Sequence, residues 1–499
     1  MTISDWQQKA AAKQAEAAAK IPSEWRLPAT ILQQAAEDEQ GVLAIPQGCG
    51  ILTPKELAIT EVADATALRD KLLTREVTAV EVTTAFCKRA AIAQQLTSCL
   101  TETMFPQALA RAEELDEHLT TTGKPTGPLH GLPISLKETF NIRGVHSSLG
   151  LVAFLDRPEA TQNSALVEIL LAAGAVLYVK TNVPQMMLTA DSENNEAAVV
   201  GRVHSIALRG SLLGIGTDIA GSIRIPALCC GTFGFKPTPV AGPLCHSVRD
   251  AEHFLRVVME APVDDLDDMV LGIPWTELAP PTVPNLTIGK AVQKLAAAGH
   301  RIVDLSTQIH CIAKASDTSF RYFRIDPDQT QLKQQVFGGG EPYIKSLRYT
   351  YNLERGDPEP TLQDLFDLNV TRAEVAELMH RVYVENNLDL IIGAGYQNCA
   401  VPHDTYGVPV YTVLENLVYY PACIIPFGQA NEVADVDFVR DNPSEIIGLS
   451  DDSLLTIIDL PKEVENAPCH VQLTGRRLKD ERLMQHAKVV ESVLANKLA

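Results

Sequence analysis

The chain has 499 residues, 46% of them hydrophobic, enough for a large buried core, and a formal net charge of −20. That charge repels phosphate backbones and sets nucleic acid aside as a partner. No run of about eighteen apolar residues is present, and the ten cysteines are scattered without the spacing of a metal site, so neither membrane spanning nor a bound metal is expected.

Taken in chain order, the first predicted element is a helix. Ser4-Asp5-Trp6-Gln7 reads as a capping box, and the alanine-rich stretch to Lys20 favours helix. The N-terminus is polar and lacks an apolar signal core, which points to a cytoplasmic protein. Residues 1–50 are read as a helical leader that packs against the remainder, residues 51–499 as one α/β domain. No Ser/Gly-rich linker, repeat or low-complexity tract divides that remainder.

Gly127-Pro128-Leu129-His130-Gly131 is a turn-forming run, and Ile134 to Lys137 is a short strand emerging from it. Ser164 to Ala173 reads as a helix, Gly174 as its stop, and Ala175 to Val179 as the next strand. Such alternation suits a mixed central sheet covered by helices on both faces.

Gly214-Ile215-Gly216-Thr217-Asp218-Ile219-Ala220-Gly221-Ser222-Ile223-Arg224-Ile225-Pro226 presents one serine on very small or permissive residues. Small residues let a substrate carbonyl approach the main chain, whose N–H groups can then bind a developing oxyanion. Pro226 suits the first turn of a short helix and Gly231 its C-terminal stop. Asp218 and Arg224, six residues apart, read as a buried pair that braces the loop. A serine nucleophile needs a base, and a desolvated lysine can serve. Its free pKa must fall by roughly three pH units, about 4 kcal/mol, to be half neutral near pH 7. Downstream, Leu286 to Gly289 reads as a strand and Lys290 to Gly299 as helical.

These blocks resemble the amidase signature family, in particular its fungal acetamidase-like members. The resemblance is carried by the Lys137 strand, Val179-Lys180-Thr181-Asn182-Val183-Pro184-Gln185, Asp191-Ser192-Glu193-Asn194-Asn195 and Ala207-Leu208-Arg209-Gly210-Ser211. It continues through the Ser222 block, Cys230-Gly231-Thr232-Phe233-Gly234-Phe235-Lys236-Pro237-Thr238 and Gln472-Leu473-Thr474-Gly475-Arg476-Arg477. It implies an amidase signature fold and hydrolysis of a carboxamide to an acid and ammonia or an amine through a serine acyl-enzyme. No cofactor is implied. Within the family's Ser-Ser-Lys triad, Lys137 falls in the base position and Ser222 in the acyl-forming position. Ile219, Ala220 and Gly221, with Ser222, fall where backbone N–H groups hold the oxyanion, and Met187 falls where relatives line the acyl pocket. The expected partner is a small-molecule amide, with a homodimer allowed for.

The chain departs from the family at one chemically important place. The bridging serine of the triad sits in a Gly-Gly-Ser-Ser-Gly-Gly stretch, and no such stretch occurs here. Segments look absent near 203–206, 238–239 and 289–290, through gene decay or faulty exon assignment. Ser205 is the hydroxyl nearest the first break, but it lacks the flanking glycines. The sequence alone therefore predicts negligible turnover for this chain. The alternatives are a non-catalytic remnant of an amidase and, less favoured, the amidase subunit of a tRNA-dependent amidotransferase.

Overall fold

The computed structural model describes residues 5–37, 39–196, 205–238, 240–267, 273–278, 289–326, 340–347, 359–396, 399, 406–430 and 466–495. Its strands are β1 (Leu100–Thr103), β2 (Pro133–Lys137), β3 (Val176–Thr181), β4 (Leu213–Thr217), β5 (Phe233–Lys236), β6 (Ala241–Cys245), β7 (Ile391–Gly393), β8 (Ala422–Gln429) and β9 (Pro468–Thr474). With the helices between them they form two compact units. The first takes Met1–Thr217, Gly242–Thr276 and Asp326–Pro360; the second takes Asp218–Ala241, Glu277–Ile325 and Thr361–Ala499.

In the first unit the strand order is β1-β3-β2-β4-β6. β2 runs parallel to both β3 and β4, whereas β1 is antiparallel to β3. Every residue of β3 is buried, as are the first four of β2. Parallel strands covered on both faces are built from such continuous apolar runs. The helix Ala165–Ala172 makes the crossover from β2 to β3. It matches the stretch read from the sequence, with Ser164 at the N-cap position.

Several helix starts in this unit are closed by side chains. Thr78 and Glu81 form a capping box ahead of the helix Ala79–Thr97. The Asp116 carboxylate, from the helix Phe105–Thr122, accepts from Ala79 N at 2.8 Å and Val80 N at 3.0 Å. A carboxylate there satisfies two of the donors that a helix start leaves unpaired.

The leader helix runs Asp5–Ala19, and its cap residue Ser4 lies outside the described residues. This helix belongs to the first unit, so the units divide the chain differently from the 1–50 and 51–499 partition. Lys13 and Lys20 both pair with Glu102 of β1, Lys20 at 2.7 Å. Lys9 pairs with Asp156 at 2.6 Å, and Gln14 Nε2 donates to Glu196 O at 2.9 Å.

In the second unit β5-β8-β9-β7 forms an antiparallel run. The helix Arg224–Cys230 packs on β5, β8 and β9. It lies close to β5 because of Gly234: a Cβ there would stand 2.7 Å from Ala227 Cβ and 3.0 Å from Ile223 O. The strand expected at 286–289 lies outside the described residues except for Gly289, which opens the helix Gly289–Ala297. Among the described residues no helix is long and apolar enough to cross a membrane.

Candidate active site

Lys137 ends β2, and strand register decides what it meets. Ser135 pairs with Gly214 and Leu136 with Ile215 across the parallel β2–β4 ladder. Continuing that register brings Lys137 to the C-terminal end of β4. There its Nζ donates to Thr217 Oγ1 at 2.8 Å and lies 3.4 Å from Thr217 O. Both residues are partly exposed. Ligand sites in such sheets sit beyond the carboxyl ends of the strands.

The neighbour of Lys137 is pinned in place. Glu138 is buried and accepts from Ser148 N at 2.5 Å and Leu149 N at 3.0 Å. Lys180 Nζ stands 3.9 Å from its Oε1 and donates to His146 O at 2.7 Å. Burial pushes the Glu138 carboxyl up and the Lys180 ammonium down, and each opposes the shift in the other. The lysine strand is thus anchored one residue beyond the candidate base.

Two other sequence candidates belong to the same unit. Met187 closes a short 3-10 turn, Gln185–Met187, with its N–H on Pro184 O at 2.8 Å. It has φ 60°, an uncommon conformation for a residue with a Cβ, and is partly exposed. Ser205 is buried. It lies beside Gly210, where an added Cβ would stand 3.1 Å from Ser205 Oγ, and that Oγ has no hydrogen-bond partner among the described residues.

The Ser222 loop opens the second unit and is built around one carboxylate. Asp218 is fully buried. It accepts from Gly221 N at 2.8 Å, Ile223 N at 3.2 Å and Arg224 N at 3.3 Å. Arg224, also fully buried, clamps it through Nε at 3.0 Å and NH2 at 3.1 Å. The remaining guanidinium donors reach Glu415 Oε2 and Gln472 Oε1, both at 2.9 Å, and Asn416 Oδ1 at 2.6 Å. Burial by itself would raise the Asp218 carboxyl, but the Arg224 charge and hydrogen bonds outweigh it and hold it at about 2. Burial acts to lower Arg224, and Asp218 and Glu415 reverse that.

The clamp explains the loop's shape. Gly221 has φ +132°, a region that side chains rarely enter, and an added Cβ would strike Thr412 Oγ1. Thr412 Oγ1 donates to Ala220 O at 2.6 Å. Ile219 is exposed, Ala220 and Ser222 are partly exposed, and the helix Arg224–Cys230 follows at once. Gly231 ends that helix with φ 65° and its N–H on Ala227 O, as the sequence led one to expect. The buried Asp218–Arg224 pair was also legible. Glu415, Asn416 and Gln472 were not, because they lie roughly two hundred residues on and only packing brings them to Arg224. Thr217 was not legible either, although it lies between Gly214 and Pro226; its contact with Lys137 depends on strand register.

Chemically, the first unit holds an amine against a hydroxyl at a strand end. The second holds a partly exposed serine on a loop whose main chain is locked by a buried ion pair. An amine–hydroxyl contact and a preorganised serine loop are components of acyl-transfer chemistry.

Comparison with known proteins agrees with this chemistry. A sequence profile of the family named Amidase matches residues 81–241. An amidase of Gibberella moniliformis is 32% identical over 548 aligned residues, covering 98% of this chain and 99% of that protein. An acetamidase of Emericella nidulans is 31% identical over 573 aligned residues, covering 98% of each. Both alignments are longer than the 499-residue chain, so both relatives carry residues without a counterpart here. Among solved structures, a fatty acid amide hydrolase superimposes with a TM-score of 0.86 at 26% identity, covering 98% of this chain and 95% of that one. With relatives above 30% identity matched along nearly their whole length, this chain belongs to the amidase family, an α/β fold that hydrolyses amide bonds.

Proposed function

We propose that this amidase cleaves small carboxamides through an acyl-enzyme on Ser222, with Lys137 as base and Thr217 as the hydroxyl beside it. Ser222 Oγ attacks the carbonyl carbon, and its proton passes by way of Thr217 to the neutral Lys137 amine. The oxygen charge is received by main-chain N–H groups. Gly221 N–H is committed to Asp218 at 2.8 Å, so this task falls to Ile219, Ala220 and Ser222. Collapse of the tetrahedral adduct expels ammonia or an amine, which takes the proton back. Water then repeats the sequence on the ester and frees the acid. Met187 is assigned to the acyl pocket.

The supporting observation is the 2.8 Å contact between Lys137 Nζ and Thr217 Oγ1. It supplies a hydroxyl where the missing Gly/Ser stretch would leave the lysine without one, and Thr217 stands five residues before Ser222 in the chain. The test combines fluorophosphonate labelling with hydrolysis of simple aliphatic and aromatic amides. Wild-type protein is labelled and turns over, Ser222→Ala does neither, and Cys229→Ala and Cys230→Ala behave as wild type. Full activity in Ser222→Ala removes the nucleophile assignment. A cytoplasmic location and a homodimer remain expectations, checked by cell fractionation and sedimentation.

A second reading, the non-catalytic remnant, is favoured by the absence of any Gly-Gly-Ser-Ser-Gly-Gly stretch and by the longer relatives. It predicts a folded protein by circular dichroism that neither labels nor hydrolyses. Insertion of the family-type segment between Val203 and Ile206, the latter at the edge of the described residues, would then restore turnover.

A further inference from the structure

The sulfurs of Cys399 and Cys469, seventy positions apart in the chain, stand 3.6 Å from each other, in van der Waals contact. Both side chains are partly exposed. Close by, Gly395 N donates at 3.2 Å to Nε2 of His470, the residue after Cys469 on β9. Burial lowers His470 to about 4, so its ring is neutral and able to accept this bond at neutral pH.

Other thiols are set differently. Cys87 and Cys423 are completely buried, and burial raises both far above the ordinary thiol range. A buried protonated thiol is a poor nucleophile. Cys229 is exposed, and it serves below as the competitor.

We propose that Cys399 and Cys469 form a redox site that a peroxide converts to an intramolecular disulfide. One thiolate attacks the peroxide oxygen, forming a sulfenic acid and releasing one water or alcohol after proton transfer. The second thiolate attacks that sulfur, the S–O bond breaks, the S–S bond forms and water leaves. The dithiol loses two electrons and two protons, and the peroxide gains them.

The bridge would clamp two segments that both touch the helix after Ser222. A Cβ on Gly395 would lie 2.9 Å from Leu228 of that helix, and one on Gly231 would lie 3.0 Å from Pro468. Oxidation therefore stiffens the support of the serine loop, and a bridge closing so long a loop raises the thermal midpoint.

The experiment treats the full-length protein with hydrogen peroxide, alkylates the remaining thiols and maps peptides by mass spectrometry. The expected result is a Cys399–Cys469 cross-linked peptide lighter by two hydrogens, reversed by dithiothreitol and accompanied by a higher Tm. Cys399→Ser and Cys469→Ser each abolish it and leave a dimedone-trapped sulfenic acid on the remaining partner. If either variant fails to fold, the wild-type peptide map decides alone. Oxidation confined to Cys229, intermolecular bridges, or both target thiols recovered alkylated would overturn the proposal.

Discussion

Thr217 contributes one hydroxyl, and its distance from Lys137 gives it a different test from that of a packing residue. Replacement by valine keeps the shape of the strand end and removes the hydroxyl proposed to carry the proton. Thr217→Val should lower kcat by about two orders of magnitude or more, since triad-like groups act as a unit. Thr217→Ser should retain most of it. Steady-state kinetics on one amide substrate decide, and equal activity in the valine variant would exclude relay through this residue. Lys137→Arg should be as inactive as Lys137→Ala, because a guanidinium stays protonated and cannot accept a proton.

Glu196 carries a residue-scale prediction about pH. It is 5% exposed, and its Oε2 has no hydrogen-bond partner among the described residues. Burial raises its carboxyl to about 7, with Ser148 pulling down and Glu138 adding to the rise. A carboxyl raised on folding binds its proton more tightly in the folded state, so stability falls as pH rises from about 4 to about 7. The loss amounts to about 3 kcal/mol at full ionisation. Glu196→Gln should therefore raise Tm at pH 8 and have little effect at pH 4. Equal shifts at both values would show that folding does not raise the Glu196 carboxyl above its unfolded value.

At the scale of the element, the serine loop and the helix Arg224–Cys230 form one device held by Asp218. Because its carboxyl is depressed to about 2, its stabilising contribution is complete above the ordinary carboxylate range. That contribution, about 2 kcal/mol, is lost as pH falls from about 4 through about 2. Asp218→Asn leaves Arg224 with an uncompensated share of buried charge, and breaking such a pair costs about 3–5 kcal/mol. Urea unfolding at pH 7 should show that loss, with the difference from wild type narrowing toward pH 2. A cost independent of pH would mean that the amide's altered hydrogen bonding, and not the lost charge, is responsible.

For the whole molecule, the leader is the part whose contribution can be removed cleanly. Glu102 is 6% exposed and has Lys13 and Lys20 of the leader as partners. Deleting residues 1–20 strips both cations from a nearly buried carboxylate, so Tm should fall. A further Glu102→Gln substitution should recover part of the loss, because an unpaired buried charge costs more than a neutral amide. Failure of the glutamine to recover any stability would assign the leader's effect to apolar packing instead.

The local pieces of this protein follow from contiguous residues, because turn chemistry and periodicity act over a few residues. The strand ending at Lys137, the helix that follows Ser164, the glycine stop at Gly231 and the Asp218–Arg224 brace were all visible in contiguous residues. The amidase resemblance was visible too, carried by motifs in order along the chain. Tertiary structure alone decided which distant groups converge. Parallel register put Thr217 against Lys137, packing delivered Glu415, Asn416 and Gln472 to Arg224, and β9 brought Cys469 to Cys399. It also turned Gly221 N–H toward Asp218, which no count of small residues could reveal. Hydrogen-bond geometry depends on three-dimensional register, and that is set by long-range packing that a local pattern does not encode.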